Sequence, residues 1–230
     1  MPRLKPRLMA RMLTRLARVL AALVLGALLC KGPARAGDLV GHVKVSNAPE
    51  PEKNRKRYPV SAGPQVVEEA PANHPLQDVI VYLEGAKGGK GLRPKPSMAQ
   101  ENKTFKPRVL PIKAGTEVGF PNMDPFYHNV FSYSKLKKFD LGRYPTGQSK
   151  SIKFDEPGVV KVFCEIHSQM KGYIVVLDTD AFCVPDESGI IRIKDVPPGK
   201  YNLVAWHPSF DPKVRQVEIG TGALEVEIDF

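Results

Sequence analysis

The chain has 230 residues, 42% of them hydrophobic and 25% charged, a globular composition that excludes a disordered tail, a collagen-like fibre and a multi-span membrane protein. Its 22 prolines and 19 glycines suit short strands and turns, and three cysteines are too few for a disulfide-built scaffold. The formal charge of +10 raises the question of nucleic acid.

The position of the charge answers it. Eight of the 34 basic residues fall in the first 36 positions, with no acid among them, so from Gly37 onward 26 basic residues face 24 acidic ones. An apolar run from Val19 to Leu29 follows the basic stretch, then Pro33-Ala34-Arg35-Ala36. Basic region, apolar core and small residues at the cleavage positions make a secretory signal peptide over 1–36, cut after Ala36. The run is too short to span a bilayer comfortably, which disfavours its alternative, a retained anchor. Leu29 before Cys30 argues against a lipoprotein. The expectation is a periplasmic protein with no transmembrane span and no nucleic-acid partner. Export leaves Cys164 and Cys183 in an oxidising compartment, either joined to each other or serving separate roles.

Beyond Gly37, short apolar alternations separated by Pro, Gly, Asn and Asp predict an all-β chain with no amphipathic helix. In chain order the strands are expected at 40–45, 79–83, 109–112, 117–120, 129–133, 151–154, 159–163 and 173–177. Four more follow at 190–193, 201–206, 214–219 and 224–230. The last alternates cleanly, with Leu224, Val226, Ile228 and Phe230 opposed to Glu225, Glu227 and Asp229. The stretch 48–73 reads as a long exposed loop and 85–96 as a Gly/Lys/Pro-rich linker.

The chemistry concentrates between Phe120 and Leu177. Cys164, His167 and Met170 stand three residues apart between two apolar strands, so they occupy a strand-joining loop that turns three donors inward. His128 supplies a second imidazole from an earlier strand end. Two imidazoles, a thiolate and a weak axial thioether form the donor set of a blue-copper site. Zinc fits less well, since no second cysteine is near. A c-type haem would need C-x-x-C-H, which is absent. A Cys–His nucleophile pair leaves Met170 unexplained, and a Cys164–Cys183 disulfide remains the other use of the thiol.

The window 95–178 resembles the cupredoxins. Its C-x2-H-x2-M loop looks most like amicyanin. The pattern Gln100, Asn102, Phe105, Pro107, Val109-Leu110 and His128-Asn129-Val130-Phe131-Ser132 is similar to plastocyanin-like proteins labelled methylamine-utilisation proteins. The resemblance implies a Greek-key β-sandwich holding one type 1 copper ion through His128, Cys164, His167 and Met170. It implies that Asn129 hydrogen-bonds across to the ligand loop. Many cupredoxins have Pro where this chain has Ile166, which adds a backbone N–H next to the thiolate.

The segment 186–206, with Asp186 before Gly189 and Pro197-Pro198-Gly199-Lys200-Tyr201, resembles carboxypeptidase regulatory-like (transthyretin-like) sandwiches. Residues 41–45 and 78–83 resemble the first strands of that fold. Fifty residues are too few for an independent core. The expectation is one smaller sandwich built from 37–94 and 181–230 and interrupted by a cupredoxin over 95–180; its alternative is a cupredoxin with irregular extensions. His42, His74 and His207 read as structural histidines, Trp206 as core, and Cys183 as a buried small hydrophobe. The expected function is one-electron transport through His167 between redox proteins such as a cytochrome or a dehydrogenase, not catalysis. The alternatives are copper delivery and a copper-stabilised binding module.

Overall fold

The computed structural model describes residues 36–46 and 75–230. The expected signal peptide up to position 35, the 48–73 loop and His74 lie outside the described residues. In chain order the strands begin with β1 (Gly37–Lys44), β2 (Ile80–Glu84), β3 (Lys90–Gly91), β4 (Ala99–Glu101), β5 (Thr104–Lys106) and β6 (Val109–Lys113). Next come β7 (Thr116–Pro121), β8 (His128–Ser134), β9 (Lys137–Tyr144), β10 (Ser149–Phe154), β11 (Gly158–Phe163) and β12 (Lys171–Leu177). The last are β13 (Phe182–Cys183), β14 (Ile190–Val196), β15 (Gly199–His207), β16 (Phe210–Ile219) and β17 (Ala223–Asp229). A 3-10 turn, Pro75–Asp78, precedes β2. The fold is all-β, a β-sandwich with an additional β module.

One sheet has the order β17-β1-β14-β3 and a second the order β13-β2-β15-β16. Strands from both ends of the described chain therefore share each of these sheets: β1 pairs antiparallel with β14 and parallel with β17. A third sheet runs β6-β12-β11-β8-β9. Facing it, β7 pairs with β10, and the β4–β5 hairpin joins them through bridges at Ser97–Gly119 and Gln100–Asn122.

Three apolar clusters fill the spaces between these layers. The first joins Leu39, Ile191 and Ile193 to Val81, Leu83 and Leu203. The second joins Ile80 and Phe182 to Tyr173, Val175 and Leu177. The third sets Val130, Val160, Val162 and Ile174 against Val118, Phe120 and Phe154. This layering explains why β2 and β12 read as unbroken apolar runs rather than alternations: each is buried on both faces. In β12, Ile174 and Val176 point into one core while Tyr173, Val175 and Leu177 point into the next.

The segment 85–96 is not the expected linker. Lys90 and Gly91 pair with Lys194 and Ile193, and a Cβ on Gly91 would stand 2.3 Å from the Phe182 carbonyl oxygen and 2.6 Å from Cys183 Cβ. Gly91, and Gly89 against Ala181, serve close approach rather than flexibility. Sequence periodicity also missed β9, whose buried-side residues Phe139 and Leu141 are diluted by Lys137, Lys138 and Arg143. The β4–β5 hairpin was missed too. Its two-residue turn places Asn102 and Lys103 at φ 54° and 53°, the left-handed pair that matches strand twist in a tight hairpin.

Candidate metal centre

His128 opens β8, and Cys164 follows the last residue of β11. His167 and Met170 belong to the loop that returns the chain to β12, closed by a 3.0 Å hydrogen bond from the Met170 N–H to the His167 carbonyl. Strands β8 and β11 are neighbours, with Phe131 opposite Phe163, so two sequence-distant segments end side by side. Asn129 fastens them: its Oδ1 accepts the Glu165 N–H at 2.8 Å. Outside this bond, Arg143 donates to the Glu165 carboxylate at 2.7 Å.

The donor atoms of His128, Cys164 and His167 all lie within 4.8 Å of one another. His128 Nδ1 stands 3.7 Å from Cys164 Sγ and 3.1 Å from His167 Nδ1. Donors each about 2.0–2.3 Å from a shared ion stand roughly 3–4 Å apart, so the residues fit a bound metal. Met170 is buried in the same core as Cys164. Thus the structure brings His128, Cys164 and His167 together and places Met170 in the core behind them. The Ile166 side chain is turned to solvent, 40% exposed.

Burial separates the ligand positions. His128 is fully buried, Cys164 and Met170 nearly so, while His167 sits at the rim. Burial lowers the pKa of His167, reinforced by His128 and Lys103. Phe126 covers both imidazoles, with ring centroids 5.2 Å from His128 and 5.3 Å from His167. Lys103 Nζ stands 5.8 Å from the Phe126 ring centroid, and the neighbouring Met123 and Tyr127 are 60% and 56% exposed.

Asp124 escaped the sequence reading. Its carboxylate lies 2.8 Å from His128 Nε2 and accepts the backbone N–H groups of Asn102 at 2.6 Å and Lys103 at 2.9 Å. Burial alone would raise its pKa, but those backbone bonds and the His128 contact outweigh it and hold the carboxyl below its usual range. The signal was present as an acid four residues before the histidine, preceded by Asn122, whose Oδ1 accepts the Asp124 N–H. A buried polar chain also went unread: Gln100 Nε2 donates to the Tyr144 hydroxyl, which donates to the Phe120 carbonyl at 2.8 Å.

The remaining sequence candidates have structural places. His42 Nε2 contacts the Ser188 carbonyl at 2.8 Å. His207 packs against Phe210 and Phe230 and accepts the Ser209 N–H. Trp206 is half-buried on the second core. Cys183 lies in the first core, away from the core that holds Cys164, and both are free thiols.

Residues 95–177 match the family model of copper binding proteins, plastocyanin/azurin family. No curated protein matches the chain. Among solved structures, a copper-containing nitrite reductase from Thermus scotoductus is 31% identical over 37% of this chain, with a TM-score of 0.34. The chain spans 23% of that reductase's length. A purple cupredoxin from Nitrosopumilus maritimus is 25% identical, covering 35% of this chain and 97% of its own, with a TM-score of 0.33. A reduced amicyanin mutant is 20% identical, covering 38% and 98%, also at 0.33. Copper is the metal that the family match and the His–Cys–His donor set support.

Proposed function

We propose that the chain is a periplasmic type 1 copper protein that carries single electrons between redox partners, of the plastocyanin-like kind labelled methylamine-utilisation proteins. The observation that carries this reading is the convergence of His128, Cys164 and His167 donor atoms within 4.8 Å. Copper would be held by these three with Met170 as weak axial donor, and it would supply the Cu(II)/Cu(I) couple. The protein's contribution is rigidity: the donors are packed into a core and fastened by Asn129, so little rearranges between oxidation states.

His167 is the proposed exit, because His128 is fully buried while the His167 ring is only partly so and packs against Phe126, with exposed Ile166 next to it in the chain. A ligand edge that reaches the surface lets a cytochrome or dehydrogenase approach the centre closely. In the proposed division, 37–94 and 181–230 form one module around the copper domain at 95–180, supported by the pairing of β1 with β14 and β17 and of β2 with β13 and β15. The signal peptide at 1–36 would direct export.

The rival is copper delivery, which relies on open, exchangeable ligands; buried Cys164 and Met170 argue against it. The test is the visible spectrum of the copper-loaded protein together with its electron self-exchange rate. A carrier shows intense sulfur-to-copper absorption and measurable self-exchange. Negligible self-exchange with rapid copper loss to a weak chelator overturns the assignment.

A further inference from the structure

We propose that Asp124 is a positioning residue of this centre, which fixes the face that His128 presents to the donor set and biases the bound metal toward its oxidised state. The inference rests on the copper reading above, but half of it concerns the protein alone.

The geometry is specific. An ionised carboxylate only accepts hydrogen bonds, so a 2.8 Å contact between Asp124 Oδ2 and His128 Nε2 requires the proton to sit on Nε2. That leaves the Nδ1 lone pair bare, and Nδ1 is the atom that faces Cys164 Sγ and His167 Nδ1. His128 cannot turn over without breaking this contact, since it is fully buried and boxed by Phe126. A carboxylate bonded to the far nitrogen of a ligating histidine orients the ring and raises its basicity.

Asp124 is itself held on several sides. Asn102 and Lys103 N–H groups donate to its two oxygens, Asn122 Oδ1 accepts its N–H, and the Thr146 hydroxyl donates to its carbonyl. The two donors from the β4–β5 turn are the residues in left-handed conformation, so the carboxylate also pins that hairpin to the histidine loop. The charge has a direct consequence. A fixed negative charge one ring away from the metal position stabilises the more highly charged ion, so Asp124 lowers the reduction potential.

The test combines Asp124→Asn, which keeps an acceptor oxygen and removes the charge, with nitrogen-15 NMR of the copper-free wild type. The wild type should show His128 as the Nε2–H tautomer, and Asp124→Asn should populate both tautomers. The variant should bind Cu(II) roughly 10–100-fold more weakly; a tenfold loss confined to Cu(II) raises a one-electron potential by about 59 mV. Asn102→Gly in the variant background separates positioning from hairpin anchoring, because glycine relieves the left-handed turn, keeps the backbone N–H and changes no charge. The proposal expects no recovery of potential in that double variant. An Nδ1–H tautomer in the wild type, unchanged potential and affinity in Asp124→Asn, or full recovery on adding Asn102→Gly would each overturn it. Failure of the wild type to bind copper would instead strike the functional reading, while the tautomer measurement would still decide the Asp124–His128 relation.

Discussion

Tyr173 and Trp206 meet nearly edge to face, ring centroids 5.9 Å apart, one from β12 of the copper-site sheet and the other from β15 of the neighbouring sheet. They close the second apolar core, which also contains Ile80, Val109, Val175 and Phe182. Arg108 adds a charged fastening, since it donates to buried Asp78 and lies over the Tyr173 ring. Because β2 and β12 each line two cores, loosening this layer disturbs the cores on either side of it. Trp206→Ala should cost about 2–3 kcal/mol, somewhat less than a fully buried Trp truncation. Calorimetry should show one transition shifted downward. Two separate transitions with only one displaced would break the argument.

The ligand loop predicts a set of distinct phenotypes. Cys164→Ser should bleach the copper-loaded protein, whereas Cys183→Ser should keep its colour, since Cys183 is in a different core. Met170→Leu should remain blue with a raised potential, because a soft axial donor stabilises Cu(II) more than an already satisfied Cu(I). His167→Gly should open the rim to external imidazole and slow electron exchange steeply. Colour retained in Cys164→Ser would refute the ligand set.

Thiol chemistry gives an independent check. Burial pushes the Cys183 thiol up to about 12, so at pH 8 almost none of it is the reactive thiolate. Iodoacetamide should leave Cys183 unmodified in the folded, copper-free protein. After unfolding, both Cys164 and Cys183 should alkylate. Recovery of a Cys164–Cys183 cross-link by peptide mapping would contradict the structure, in which both thiols are free.

Asp180 sets part of the acid limb of stability. Its hydrogen bond from Lys113, with the charges of Lys113 and Arg93, holds its carboxyl low against an opposing push from burial. A depressed folded pKa means stabilisation that is full above the unfolded value of about 3.9 and is lost as pH falls through the lower folded value. The three side chains are a third to a half exposed, so the contribution stays below about 1 kcal/mol. Asp180→Asn should lower the urea midpoint slightly at pH 6, and the loss should shrink as the pH is taken well below the unfolded value of about 3.9. An equal loss across that range would mean that the charge plays no part.

Two glycines test the packing of the additional module. Gly91→Ala forces a Cβ to 2.3 Å from the Phe182 carbonyl oxygen, where backbone must move, while a Cβ on Gly220 meets nothing within 4 Å. The first should destabilise by roughly 1–3 kcal/mol. The second should be neutral or slightly stabilising, through the unfolded chain's entropy. Equal effects, measured by denaturant melts, would mean that 85–96 is not packed as described.

Local pattern determined much of this protein. The alternation of Leu224, Val226 and Ile228 with acids, the apolar runs of β2 and β12, and the spacing of Cys164, His167 and Met170 are all properties of contiguous residues, so strand positions and candidate donors were legible in the sequence. What closes the site is not contiguous. His128 meets Cys164 because β8 and β11 pair across more than thirty residues, and Asp124 meets His128 because two left-handed residues of a separate hairpin hold its carboxylate. The same holds for 85–96, where Gly91, written like part of a flexible linker, is instead demanded by the Phe182 backbone and the Cys183 Cβ. Periodicity records which face of a strand is apolar. Which strand lies beside it, and which polar group is left to find a partner there, is decided only when backbone hydrogen bonds and buried charges from distant segments are satisfied together.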